Sequence, residues 1–155
     1  MIICGFPGIG KTTAAKNRDD VIDVESSDYH YYGKGGTAER FEDPDFPRNY
    51  VNILKGYNED HPDFYILASC HKSVRDELDR QGVPFIIVVP HDFHTNEYMK
   101  RFLRRCNSAT FINNVYTHWD EWLQEITKDE KHAVVLLDYK EYLSDILGKP
   151  EVAND

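Results

Sequence analysis

Eight residues near the amino end, Gly5-Phe6-Pro7-Gly8-Ile9-Gly10-Lys11-Thr12, fit the pattern G-x-x-x-x-G-K-[ST] without a mismatch. Glycines let a backbone curl until successive N–H groups converge on phosphate oxygens, and a helix beginning inside the loop adds the positive end of its dipole. Gly5, Gly8, Ile9, Gly10 and Thr13 would build that cradle. Lys11 would reach the β- and γ-phosphates, and the Thr12 hydroxyl would ligate Mg²⁺. ATP and Mg²⁺ are the expected cofactors. A chance glycine turn is the competing reading, and the apolar strand-like run before the loop with the helical segment after it opposes that reading.

Three acidic residues, Asp23, Glu25 and Asp28, follow at the end of a second apolar run. In an open parallel sheet ligands bind at the carboxyl ends of strands, so a carboxylate there can orient Mg²⁺ or take the proton of an acceptor hydroxyl. Glu25 and Asp28 are the stronger candidates, against a solvent-facing strand end. The third apolar run ends Leu67-Ala68-Ser69-Cys70-His71, with no carboxylate where many proteins with this loop carry a metal-orienting Asp. Arg101, Arg104 and Arg105 fall at i, i+3 and i+4, neighbours on one helical face. Arginine forks suit the spread charge of a transferring phosphoryl group, whereas a solvated face paired with Glu97 would contribute little.

The elements that must position these groups read from hydrophobic spacing. Strands are expected at 1–4, 21–25, 64–69, 85–89 and 132–137. Helices are expected at 11–18, 48–57, 72–81, 95–106, along the Phe111–Ile126 stripe, and at 140–147. Strands that are apolar throughout want both faces covered, which predicts a three-layer α/β/α sandwich around a five-stranded parallel sheet. Residues 26–47 form a long turn-rich stretch, and loops of that length are usually functional or mobile. Trp119 and Trp122 share a helical stripe and are read as core. His91 and His94 lack an evident third metal ligand.

The loop in its strand–helix context, the small size and the element order resemble the P-loop nucleoside and nucleotide kinases, including nucleoside-monophosphate kinases and shikimate- or gluconate-type kinases. The resemblance covers most of the chain in layout, but only the Gly5–Thr12 segment is motif-grade. It implies the P-loop NTPase fold with sheet order 2-3-1-4-5, and an acceptor held over the second and third strands, against the insert of about 26–47. Asp23-Val24-Glu25 resembles the D-x-D element of small-metabolite kinases. Arg101 and Arg105 resemble the R-x-x-x-R lid of adenylate-kinase-like enzymes, which makes 95–106 a lid-like helix with Arg104 beside the nucleotide. By position in such kinases, Arg40, Arg48 or Arg75 would hold an acceptor phosphate, Tyr29, Tyr31, Tyr32 or Phe41 would stack on a base, and Tyr139 and Lys140 would sit near adenine.

Composition bounds the rest. The chain has 155 residues, a length suited to one domain. Its net charge of −9 disfavours long nucleic acid as the main partner, while a small anion needs only a few focused cations. No apolar run is long enough to cross a bilayer, and no secretory signal is visible. Cys4, Cys70 and Cys106 form neither a disulfide framework nor a CxxC half-site, which points to a reducing compartment, the cytoplasm. The expectation is an ATP-dependent phosphotransferase acting on a small acceptor, a nucleoside monophosphate first. Lys11, Arg101, Arg105, Glu25 and Asp28 would be catalytic. The alternatives are a kinase of a metabolite, nucleoside or polynucleotide 5′ hydroxyl, or a nucleotide-binding module with little transfer activity.

Overall fold

In chain order the computed structural model, which describes residues 1–32 and 41–148, contains β1 (Ile2–Gly5), α1 (Lys11–Asn17), β2 (Val21–Asp23), α2 (Ser27–His30), β3 (Tyr31–Tyr32), β4 (Phe41–Glu42), α3 (Arg48–Asp60), β5 (Tyr65–Ser69), α4 (Lys72–Arg80), β6 (Phe85–Pro90), α5 (Thr95–Arg104), α6 (Ala109–Thr127), β7 (Val134–Leu137) and α7 (Leu143–Ile146), with a 3₁₀ turn at Asp92–His94. Five strands form one parallel sheet in the order β2-β5-β1-β6-β7. β1 is central and every one of its residues is buried. Ile2 pairs with Ile66 of β5 on one side and Phe85 of β6 on the other. Both faces of such a strand are covered, so its sequence is apolar throughout and does not alternate.

The chain steps outward from β1 to β2 and then back across the sheet through β5, β6 and β7. Right-handed crossovers therefore put α1 on one face and α3, α4 and α6 on the other. The contacts agree: α1 meets α7, α3 meets α4, and Arg75 of α4 pairs with Glu125 of α6 at 2.6 Å. This is an α/β chain consistent with three α/β/α layers. Among the described residues no helix is long and apolar enough to cross a membrane.

Two helices show how local sequence sets these layers. α6 starts where the Ser108 hydroxyl accepts the Phe111 N–H, and it buries Val115, Trp119, Leu123 and Ile126 at helical spacing. Trp119 is core as expected, its indole N–H donating to the Asp92 carbonyl at 2.6 Å; Trp122 is half-buried. α3 buries Tyr50, Val51 and Leu54. The Tyr50 hydroxyl donates to the Val24 carbonyl at 2.6 Å and accepts from the Ser69 N–H at 3.2 Å. One buried phenol thus ties together the carboxyl ends of β2 and β5.

Several boundaries differ from the sequence reading. The expected loop at 26–47 contains the single-turn α2 and a two-residue antiparallel ladder pairing Tyr31 with Glu42 and Tyr32 with Phe41; residues 33–40, including Arg40, lie outside the described residues. The expected helix over 95–106 stops at Arg104, and Cys106 takes a left-handed φ of 57°, which an α-helix cannot include. The last helix, expected over 140–147, is one turn, because Lys140 sits at φ 61° before it. Arg75 is not available for an acceptor phosphate. Arg75 is buried, donating to Glu125 and to the Cys70 carbonyl, and Arg48 is paired with Asp45.

At the amino-terminal edge of β7, His132 lies between Asp129 (2.7 Å to Nδ1) and Asp79 (2.8 Å to Nε2). Burial acts to lower the His132 pKa, but hydrogen bonds to these two carboxylates outweigh it and raise the value. A raised histidine pKa gives stability that is fully present below the unfolded value near 6.5 and is lost as pH rises through the folded one. His132→Gln should therefore cost about 2 kcal/mol at pH 6 and clearly less at pH 9, read from urea unfolding. An equal cost at both pH values would show that the imidazolium form is not what the two carboxylates hold.

Candidate functional site

The Gly5–Thr12 loop leaves the carboxyl end of β1 and turns back into α1. Gly8 and Gly10 adopt φ of +86° and +96°, a region that side chains strain to enter. The turn is also crowded from outside. A Cβ on Gly8 would lie 2.9 Å from Phe102 and 3.1 Å from Tyr98, and one on Gly10 would lie 3.1 Å from Tyr142. Gly10 caps α1 with no side-chain acceptor, so the first-turn amides of Lys11, Thr12 and Thr13 have no intrahelical or capping acceptor and face the hollow. Lys11 curls over the same hollow, its Nζ donating to the Gly5 carbonyl at 2.7 Å. Ile9 also has a structural part. Its side chain is fully buried and its N–H reaches the Phe6 carbonyl at 3.4 Å, so it anchors the loop to the core.

In front of the loop opens a cavity of about 530 Å³, within the range of small-molecule sites. Its far wall is the end of β2. The Thr12 hydroxyl donates to Asp23 Oδ2 at 3.3 Å, and Glu25 stands beside it on the cavity wall. The Asp23 pKa is raised, by burial first, against the opposing pull of Lys11, the Thr12 and Glu25 hydrogen bonds and the Arg105 charge. Glu25 is raised as well, by partial burial and then by the Asp23 charge. Asp28 is exposed and off the cavity wall. The sequence reading favoured Glu25 and Asp28, yet Asp23 is the carboxylate that meets Thr12. The signal was its place as the last residue of β2, level with Leu67 of β5.

The three arginines of α5 do not share one face in the way their spacing suggested. Arg101 stands three residues after Tyr98 and one before Phe102, and so joins the buried stripe with them; it is 3% exposed. Its guanidinium donates to the Gly8 carbonyl at 2.9 Å and the Glu141 carbonyl at 3.1 Å. It lies 4.3 Å from the Tyr98 ring centroid and 3.9 Å from that of Tyr142. Arg104 is exposed, 3.8 Å from Glu97. Arg105 is exposed on the cavity wall, and its charge is felt by both Asp23 and Glu25. Conversely Leu103, on the same helix, is 65% exposed.

Other candidates fall elsewhere. Tyr29 packs on Tyr50, Tyr31 stacks on His30, and Phe41 is exposed. Tyr139 and Lys140 touch each other and not the cavity; Tyr142, which the sequence gave no reason to single out, lines it instead. His91 and His94 meet edge to face at 5.8 Å, and among the described residues no group of three or more His, Cys, Asp or Glu is gathered to hold a metal ion. The hard oxygens of Thr12 and Asp23, side by side at the cavity, are donors suited to Mg²⁺ beside phosphate oxygens. Comparison with models of known protein families gave no match, and comparison with curated proteins gave none.

Two expectations follow from this geometry. Gly8→Ala should destabilise by about 2 kcal/mol or more, from φ strain and the Phe102 contact. Gly56→Ala, on α3 with nothing within 4 Å, should instead stabilise by up to about 1 kcal/mol. Urea midpoints compare them, and equal effects would mean that the loop tolerates a side chain. Because a raised carboxyl pKa means that folding disfavours the ionised form, Asp23→Asn should raise Tm at pH 7 and leave it unchanged near pH 3, where both side chains are neutral. A lower Tm at pH 7 would show that the ionised carboxylate is stabilising.

Proposed function

We propose that the chain is an ATP-dependent phosphotransferase that moves the γ-phosphoryl group of Mg-ATP to a small acceptor, built on the P-loop NTPase fold. The observation that carries this is the Gly5–Thr12 loop, held in a positive-φ turn at the carboxyl end of the central strand, with Lys11 and Thr12 on the hollow and Asp23 bonded to Thr12 across it. The sheet supports the fold: counting only its own five strands, the order reads second, third, first, fourth, fifth, as the kinase resemblance implies.

Each group has a physical task in such a transfer. Loop amides and Lys11 would take phosphate oxygens, Lys11 giving up its bond to the Gly5 carbonyl to do so. Thr12 and Asp23 would hold Mg²⁺, which when bound neutralises charge on the phosphates. Asp23 thus answers the missing carboxylate after β5, the feature that had favoured a binding-only module. Arg105, exposed across the cavity, would meet charge growing on the transferring group. The acceptor oxygen attacks phosphorus, the bond to the bridging oxygen breaks, and ADP leaves with that oxygen. Where the acceptor is a hydroxyl its proton passes to Glu25, whose raised pKa suits a base.

A specific observation favours the hydroxyl acceptor over a nucleoside monophosphate. Of the described cations expected to grip an acceptor phosphate, Arg75 is buried against Glu125 and the Cys70 carbonyl, and neither it nor Arg48 is on the cavity wall. The described acceptor-side wall carries Glu25, Ser26, Ser27 and Ser69, groups that suit an alcohol better than a dianion.

The test is a coupled assay of ADP release across nucleosides, nucleoside monophosphates, sugars and sugar acids. ADP should appear with one acceptor class and not without it. Lys11→Ala should lower that turnover by about 10³-fold or more, and Glu25→Gln should lower kcat by about 10²-fold with an unchanged KM for ATP. Turnover indifferent to Lys11, or no ADP with any acceptor, would remove the proposal.

A further inference from the structure

Arg101 has the wrong surroundings for a residue that reaches substrate. Each of its terminal nitrogens donates one hydrogen bond to a backbone carbonyl, its planar faces lie against Tyr98 and Tyr142, and Glu97 stands 3.7 Å from Nε, too far for a hydrogen bond. Burying a guanidinium is costly, and an apolar side chain of similar volume would usually serve packing as well or better. What an apolar side chain cannot do is hold the Gly8 carbonyl. A peptide plane points its C=O and its N–H in opposite directions, so fixing the Gly8 oxygen on the α5 side fixes the next amide, that of Ile9, and with it the turn into Gly10.

We infer that Arg101 is a positioning residue, a latch that sets the nucleotide loop from behind by pinning the Gly8 carbonyl, with Tyr142 as the second half of the clamp. Three contacts between the loop and the carboxyl-terminal segment converge on this purpose. Arg101 bridges Gly8 to Glu141, the Leu143 N–H donates to the Ile9 carbonyl at 2.8 Å, and Tyr142 closes against Gly10. The loop therefore owes its shape to residues some 130 positions away in the chain. The consequence for catalysis rests on the phosphotransferase reading; the latch itself does not.

The role separates from that of a catalytic arginine by which ligand feels its loss. An arginine on the γ-phosphate would matter to ATP and leave ADP affinity unchanged. A latch on the loop matters to both, because the loop cradles the β-phosphate too. Arg101→Met keeps the packing volume and leaves Glu97 its second cation, Arg104 at 3.8 Å. It should raise hydrogen exchange at the bonded amides of the loop and its contacts, those of Ile9, Ala14 and Leu143, by tenfold or more, with exchange in β6 and α6 unchanged. It should also weaken ADP and a non-hydrolysable ATP analogue by the same factor, tenfold or more by calorimetry. Tyr142→Leu, at a half-exposed position, should move both readings in the same direction and carries the test if Arg101→Met fails to fold. Arg105→Ala should leave loop exchange unchanged. Loop exchange unaltered in both latch variants, or a loss confined to the ATP analogue, overturns the latch. Failure of the wild-type protein to bind either nucleotide would instead sink the phosphotransferase reading, with the exchange measurement still deciding the latch.

Discussion

A loop that presents amides to a ligand must dispose of its carbonyls somewhere else, because each peptide carries both and neither can be buried unpaired without cost. In this chain that disposal is visible residue by residue. The Gly5 carbonyl takes Lys11, the Gly8 carbonyl takes Arg101, and the Ile9 carbonyl takes the Leu143 N–H. Two of these three donors come from α5 and the turn into α7, so the amino-terminal motif is completed by the last described elements of the chain. The sheet order makes this workable: β1 lies between β5 and β6, and β7 lies one strand further out, which brings the segments that follow β6 and β7 to the same end of the sheet as the loop.

The same constraint explains the aromatic wall behind the loop. Phe6 sits edge-on to Trp119 at 5.3 Å and to Tyr98 at 6.4 Å, and Phe102 meets Phe111 at 5.2 Å. Rings packed this way resist shear, and Gly8 lies close against them. Glycine at that position thus answers two demands at once, the sign of φ and the nearness of Phe102. Gly8 falls at one of the unspecified positions of G-x-x-x-x-G-K-[ST], so the packing of this chain, and not the pattern, calls for glycine there.

What could be read in the sequence was what is local. Apolar runs announced β1, β5 and β6, helical spacing announced the Val115–Ile126 stripe, and the glycine loop announced itself. What could not be read was set by tertiary neighbours. Arg101 resembles an exposed arginine in every local respect, and only the arrival of Tyr142 and the Gly8 carbonyl makes its inward position favourable. Asp23 ranked below Glu25 and Asp28 because an alternating Asp and Glu at a strand end looks solvated; its place as the last residue of β2 is the one local sign, and the Thr12 contact itself is tertiary. Tyr142 follows a left-handed residue, Lys140, whose conformation aims the chain back at the loop, and nothing in the composition there foretells it. The short β3–β4 ladder holds too few residues to show an alternating pattern.

Charge gives the strongest contrast between the site and the rest of the molecule. Away from the cavity, several carboxylates are matched. Arg18 holds the Asp20 pKa low, Arg80 and Gln81 hold that of Glu77 down to about 2, and the carboxylates around His132 are paired with it. Inside the cavity the matching stops. Asp23 and Glu25 are both pushed up, and Lys11 spends its ammonium on a carbonyl 2.7 Å away and not on either of them. A chain with cations to spare for a surface glutamate leaves two carboxyl groups and a lysine facing one another unpaired, an arrangement that lowers stability. Under the proposed phosphotransfer, phosphate oxygens would pair with Lys11, a divalent cation would be held by Asp23 with Thr12, and Glu25 would take a proton. The α5 arginines divide along the same line. Arg101 and Arg104 share Glu97 and are settled, whereas Arg105 turns its charge across the cavity towards the unmatched pair. On that proposal the unmatched charges of the cavity complement a metal-bound triphosphate and an acceptor facing it.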